Sequence, residues 1–179
     1  MQLQTDRLLL RHWEPNDWTA VHRYASDLAV VEFEAWGPNT EAETRAYIDR
    51  ARTQYERDPQ RDFELAVVER ETDNVVGGAG IHITSVENRE AFIGYALRQE
   101  SWGRGYATEL ARRLLAFGFE ELKLHRIIAT CDPRNERSRR VLEKLGMAKE
   151  GRLRENVWMR GKWRDSFVYA ILEQDFRRG

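Results

Sequence analysis

The chain has 179 residues, of which 41% are apolar and 33% charged, and its formal net charge is -1. These figures fit one globular domain over residues 1–179 and exclude a general nucleic-acid binder that works through a basic surface. Cys131 is the only cysteine, so no internal disulfide forms and a reducing cytoplasmic setting is expected.

Arg7–Trp13, "RLLLRHW", reads as a first strand. Pro15 can start a short helix that carries Trp18, Val21 and Ala25 on one face. Thr40 and Glu43 form a capping box, which predicts a second helix from about Glu41 to Arg57 with Tyr47, Ile48, Ala51 and Tyr55 as its apolar stripe. Asp58-Pro59 ends it. "FELAVVER" and "VVGGAGIHI" flank the turn residues "ETDN", a hairpin signal. "EAFIGYAL" is a further strand.

The next run is "ESWGRGYATEL", which leads straight into a helix predicted from about Ala107 to Leu122. Leu110, Ala111, Leu114, Leu115 and Phe119 mark its buried side. "RIIATC" is a short buried strand. Asn135 is an N-cap for a helix that stops at Gly146. "GRLRENVWM" and "WRDSFVYAIL" then flank "RGK" as a last hairpin. Hairpins on both sides of one strand-helix-strand crossover predict an α+β fold. Its sheet is mixed and largely antiparallel, with helices on both faces.

Glycine costs roughly 0.5–1 kcal/mol more than alanine inside a helix, so Gly103 and Gly105 at a helix start need a reason. The first N–H groups of a helix lack internal partners, and the dipole makes that end positive. Gly103 through Thr108 therefore offer backbone N–H groups to a phosphate, with Arg104 adding a charge. A plain strand-to-helix turn is the alternative. A Walker loop would need Lys-Ser/Thr after its last glycine, and this sequence has none. A dinucleotide fold would repeat its strand-helix-strand unit, whereas hairpins lie on both sides here, although Asp132 stands near the expected acidic position. Coenzyme A remains. The histidines His12, His22, His82 and His125 show no metal-ligand spacing, so no metal is expected. No apolar run approaches membrane-spanning length, and the first residues do not resemble a signal peptide.

The order of these pieces resembles the GNAT superfamily of acetyl-CoA-dependent N-acetyltransferases, in its Rim-like branch. That branch includes enzymes acting on the N-termini of ribosomal proteins. The family's Gln/Arg-x-x-Gly-x-Gly/Ala motif falls on Trp102, Gly103, Arg104, Gly105, Tyr106 and Ala107, with Trp102 a departure in the first place. "TDRLLLR", "WGP", "CDPRNERSRRVLEKLGM", "EGRLRE" and the closing "FVYAIL" extend the likeness over nearly the whole chain.

The resemblance implies that "FIGYAL" and "RIIATC" are parallel strands that splay apart. The pantetheine arm would pair with backbone groups around Tyr95, Ala96 and Leu97. A primary amine would attack the acetyl carbonyl directly, with no covalent enzyme intermediate. By the same resemblance Asn135 bonds the pantetheine arm, and Ser138 sits near the sulfur as a proton donor. Glu155 is the candidate general base, with Glu34, Glu32 or a water chain as alternatives. Val157 stands where a relative places its base and cannot take a proton.

Trp36 and Pro38 fall where the family builds its acceptor wall. The basic run Arg134, Arg137, Arg139, Arg140 and Lys144 is either a nucleotide-phosphate contact or a solvated helix face. Cys131 reads as a small buried thiol. The expected partner is an amine, foremost a protein N-terminus, with a small-molecule amine as runner-up. A non-catalytic CoA-binding module is the competing class. Monomer and homodimer are both open.

Overall fold

The computed structural model describes residues 1–177. Eight strands form one sheet in the order β1-β2-β3-β4-β5-β6-β8-β7. The strands are β1 (Gln2–Gln4), β2 (Leu8–His12), β3 (Asp62–Glu69), β4 (Asn74–Ser85), β5 (Glu90–Leu97), β6 (Arg126–Cys131), β7 (Ala148–Met159) and β8 (Lys162–Leu172). The helices are α1 (Trp18–Ala25), α2 (Leu28–Val31), α3 (Glu41–Gln54), α4 (Tyr106–Ala116), α5 (Glu136–Lys144) and α6 (Glu173–Phe176). Every pairing is antiparallel except β5 with β6. The expected mixed fold is what the chain adopts.

Both faces of the sheet are covered, and β3 shows how the sequence arranges this. Leu65 and Val67 enter a core beneath α4, while Ala66 and Val68 enter a second core with Trp13, Tyr24 and Ile48. A strand buried on both faces must read as a continuous apolar run, as "LAVV" does. The α3 capping box forms as expected: the Glu43 N–H donates to Thr40 Oγ1 at 3.3 Å, and the Thr40 N–H donates to Glu43 Oε2 at 2.8 Å.

Some boundaries differ from expectation. The second helix ends at Gln54 rather than near Arg57: the Tyr55, Glu56 and Arg57 N–H groups donate three residues back instead of four, and the Tyr55 hydroxyl meets the Glu64 carbonyl and the Trp13 N–H. The helix expected to continue to Leu122 passes at Phe117 into a π-helical turn ending at Glu121. Wider turns still close, so periodicity alone does not reveal the change. Three short unanticipated elements, β1, α2 and α6, have three, four and four residues. Runs that short carry too little pattern to read.

The central feature is the parallel pair. Its register holds only from Glu90–Phe92 against Arg126–Ile128. Beyond it, β5 stays paired to β4 through Leu97, and β6 stays paired to β8 through Cys131. Residues 93–97 therefore keep a strand edge with no sheet partner, and the two strands open a gap in mid-sheet.

Candidate active site

The loop after β5 is built by its neighbours. Gly105 is the N-cap of α4 in the left-handed region (φ +81°), and Gly103 also has positive φ (+74°). A Cβ added at Gly103 would meet no atom within 4 Å. The loop is thus exposed, backbone-lined and open to a ligand at a helix N-terminus. Arg7, just before β2, braces it, donating to the Arg104 carbonyl at 2.9 Å and to Glu109 Oε2 at 2.7 Å. Arg104 pairs with the buried Glu69 at 2.8 Å, and the same carboxylate accepts from Tyr106. Those donors, with Thr72, hold the Glu69 carboxyl below the usual range.

Tyr106 is therefore a buried anchor for the loop, not an open lining side chain. Trp102 turns its indole N–H to the Leu97 carbonyl at 2.8 Å and carries the Arg137 guanidinium 4.5 Å above its ring. In this way α5 presents one basic side chain to the loop. Arg134 is engaged by Asp132, and Arg140 by Glu136. Lys144 is exposed in the last turn of α5, its carbonyl near Arg112 of α4, roughly two turns from the loop.

A cavity of about 820 Å³ reaches the gap between the splayed strands. It brings together Trp36, Tyr95, Ala96, Asn135 and Ser138 from the sequence-derived set. Asn135 caps α5 through Oδ1, which accepts from the Ser138 N–H at 3.1 Å. The Tyr95 hydroxyl is buried with no partner at hydrogen-bond distance. Ser138 is close enough to pull the Tyr95 pKa down, but burial outweighs it and pushes the phenol up to about 12. A buried, unpartnered hydroxyl beside a serine and a free strand edge fits a ligand that enters the gap. Cys131 also lines the cavity, and burial pushes its thiol up to about 11, so it stays protonated and inert at neutral pH.

Leu97 and Pro38 lie outside the cavity lining, although Gly37 is part of it. Glu155 stands apart too. Between the Leu153–Ser166 and Val157–Arg164 pairs, three residues of β7 lie opposite the single residue Asp165 of β8. The resulting bulge turns Glu155 outward at φ +50°, with its N–H on Asp165 Oδ1 at 2.8 Å. Glu32 is exposed. Glu34 instead faces the cavity, where burial lifts its carboxyl to about 7 against the opposing pull of Trp36 and Arg160.

The sequence reading also missed a polar cluster on β3 and β4. His82 lies between Asp62, 3.0 Å from Nδ1, and Glu64, 3.4 Å from Nε2, and Tyr47 donates to Glu64 at 3.1 Å. Burial raises the Glu64 carboxyl, while His82 and Tyr47 oppose it. Strand alternation in "DFEL" was the available signal for Asp62 and Glu64, which it places on one face, and the pairing of Asp62 with His82 brings the histidine to them. Among the described residues, no three His, Cys, Asp or Glu side chains are grouped as metal ligands.

The acetyltransferase (GNAT) domain family matches residues 7–148. The chain belongs to the GNAT family. It is an N-acetyltransferase by this match and by its relatives. The uncharacterised N-acetyltransferase YnaD of Bacillus subtilis is 35% identical over 98% of this chain and 99% of its own. A GNAT-family acetyltransferase structure from Bacillus anthracis is 36% identical, covers 97% and 99% of the two chains, and superposes with a TM-score of 0.87. Two further matches are more distant. The ribosomal protein uS5-alanine N-acetyltransferase of Escherichia coli is 25% identical over 100% of this chain and 94% of its own. Spermidine N-acetyltransferase from Vibrio cholerae, solved with CoA and spermine, is 21% identical over 97% and 99%, with a TM-score of 0.82. At that identity it shows the shared fold.

No described helix of this GNAT protein is long and apolar enough to cross a membrane.

Proposed function

We propose that this GNAT enzyme transfers the acetyl group of acetyl-CoA to an α-amine at the N-terminus of a peptide or protein, with Glu34 as general base. The observation that carries the reading is the position of Glu34. It lines the same cavity as Tyr95 and Ser138, beside the gap between β5 and β6.

A direct attack needs a neutral amine. An α-amine has a pKa of about 7.7–8.0, within roughly one unit of the Glu34 carboxyl, so proton removal costs on the order of 1 kcal/mol. A lysine side chain at about 10.4 would cost between about 4 and 5 kcal/mol. Glu34 is matched to the first acceptor and poorly matched to the second.

The remaining roles follow from placement. Bound acetyl-CoA supplies an activated thioester. Gly103 through Thr108 offer backbone N–H groups at a helix N-terminus for its pyrophosphate, and the free edge of β5 at Tyr95, Ala96 and Leu97 offers main-chain partners for its arm. The Ser138 and Tyr95 hydroxyls hold protons at the gap, where a leaving thiolate needs one. Trp36 forms part of the acceptor wall. The E. coli relative, a ribosomal protein uS5-alanine N-acetyltransferase, supports a protein acceptor.

A second reading is a small polycationic amine, favoured by Glu64 and Glu43, further carboxylates in the same cavity. The test is turnover with a panel of N-terminally free peptides and polyamines, followed by release of CoA thiol. The proposal expects peptides to be preferred. Turnover of polyamines alone would favour the second reading.

A further inference from the structure

We propose that Arg160 is a positioning residue for the acceptor site: from the turn between β7 and β8 it holds the loop of residues 32–37 closed over the cavity. This rests on the reading of Glu34 as general base. The contacts are long-range and convergent. Arg160 Nη2 donates to the carbonyls of Val31 at 2.9 Å, Trp36 at 3.1 Å and Gly37 at 2.8 Å, and Nη1 approaches the Glu32 carbonyl at 3.4 Å. One guanidinium thus ties both ends of the segment that carries Glu34 and Trp36. Val31 ends α2, and its carbonyl accepts from the Glu34 N–H at 3.0 Å as well as from Arg160, so the guanidinium joins the turn that carries Glu34.

The location of Arg160 is itself informative. Arg160 (φ +47°) and Gly161 (φ +76°) form a two-residue hairpin turn in which both central residues are left-handed. Such turns favour asparagine, aspartate or glycine at the first position. An arginine there is not chosen for its backbone. Among the described residues no carboxylate lies within ion-pair distance of it, so its donors serve the loop carbonyls.

Docking of this loop is what desolvates Glu34. Burial is the largest influence on the carboxyl, and the Arg160 charge is a smaller one of opposite sign. Tyr95 on β5 also feels the Glu34 charge. The other ionisable groups lining the cavity are Glu43, Tyr47 and Arg50 on α3, Tyr24 on α1, the Glu64–His82 pair, Cys131, Asp132, and Arg164 with Asp165 on β8; burial raises the Tyr24, Tyr47 and Cys131 pKa values, so these three stay neutral. Asp132 is neutralised by Arg134 and Arg164, and Asp165 by Arg152. Releasing the loop removes more burial than charge, so the net effect on Glu34 is a fall.

The experiment compares the full-length parent with Arg160→Met, Arg160→Lys and Glu34→Gln. Two measurements are made: hydrogen–deuterium exchange of the 32–39 segment, and the pH dependence of kcat/KM with an α-amine peptide. In Arg160→Met the segment should lose protection, and kcat should fall about tenfold or more with KM for acetyl-CoA unchanged. Its acidic limb should move from about 7 toward the ordinary carboxylate value of 4.5. Arg160→Lys should recover part of both, since an ammonium can meet carbonyls without the reach of the planar fork. Parent-like protection in Arg160→Met overturns the proposal, and so does an acidic limb that stays in place or moves up. Glu34→Gln tests the base on its own. If it keeps the parent limb, the base reading falls, and exchange alone then decides whether Arg160 holds the loop.

Discussion

Replacing Gly103 with alanine separates the cost of a strained backbone from the cost of an obstructed ligand. Gly103 sits at φ +74°, where an L-residue is disfavoured by about 1–2 kcal/mol. Its new Cβ would meet nothing within 4 Å, so no packing term is added. Gly146, which follows α5, provides the control. It has φ +78°, and its nearest Cβ neighbour would be Ile171 Cδ1 at 4.0 Å, an ordinary contact. Both variants should therefore lose a similar 1–2 kcal/mol, a fall in Tm of roughly 2–8 °C for a chain of this size.

The two should part company when acetyl-CoA is added. At one hundred times its Kd the ligand stabilises the parent by about 2.7 kcal/mol. Gly146→Ala should keep that increment. Gly103→Ala should lose at least about 1.4 kcal/mol of it, a tenfold weaker Kd, because the methyl fills the space a phosphate needs. Calorimetric titration beside thermal unfolding reads both quantities. Equal Kd values in the two variants would show that the phosphate does not approach Gly103.

Three further outcomes follow from the same geometry. Glu34 must be ionised to accept a proton, so activity is lost as pH falls through about 7; with a base of that pKa about half is active at pH 7 and about a tenth at pH 6. Glu34→Gln should abolish that limb and lower kcat by about 100-fold or more, measured by stopped-time assays from pH 5 to 9. Ser138→Ala and Tyr95→Phe should each reduce kcat more than acetyl-CoA affinity, with parent-like kcat in both variants removing the two hydroxyls from proton transfer. Cys131→Ser should retain parent kcat, since a buried thiol held protonated carries no step; loss of all activity with intact CoA binding would reopen a covalent route.

Much of this site can be read from local sequence, and the reason is physical. The glycines before α4 and Asn135 before α5 are local devices. A left-handed N-cap and a side-chain cap are completed within a few residues, so sequence spacing shows them. The splayed pair is visible only as two apolar strands, because the gap arises from where β5 and β6 stop pairing. Glu34 illustrates the rest. Its raised pKa depends on a loop held by Arg160, whose donors meet carbonyls 123 to 129 residues away in the chain. Nothing adjacent to Glu34 distinguishes it from Glu32.

Glu155 shows the opposite case. The period of a regular strand would let it face the site, but the bulge in β7 resets the register and turns it to solvent. Asp62 and Glu64 share a face by strict alternation, yet bringing His82 to them needs the register of β3 with β4, which the hairpin signal does not supply.

The measurement that bears most directly on the central claim is the position of the acetyl group on a peptide that carries both a free N-terminus and an internal lysine. After incubation with the enzyme and acetyl-CoA, tandem mass spectrometry locates the added mass. Acetylation of the α-amine, lost in Glu34→Gln, is the predicted result. Acetyl groups found mainly on the lysine would contradict the account, because a base with a pKa of about 7 is too weak to deprotonate that side chain efficiently.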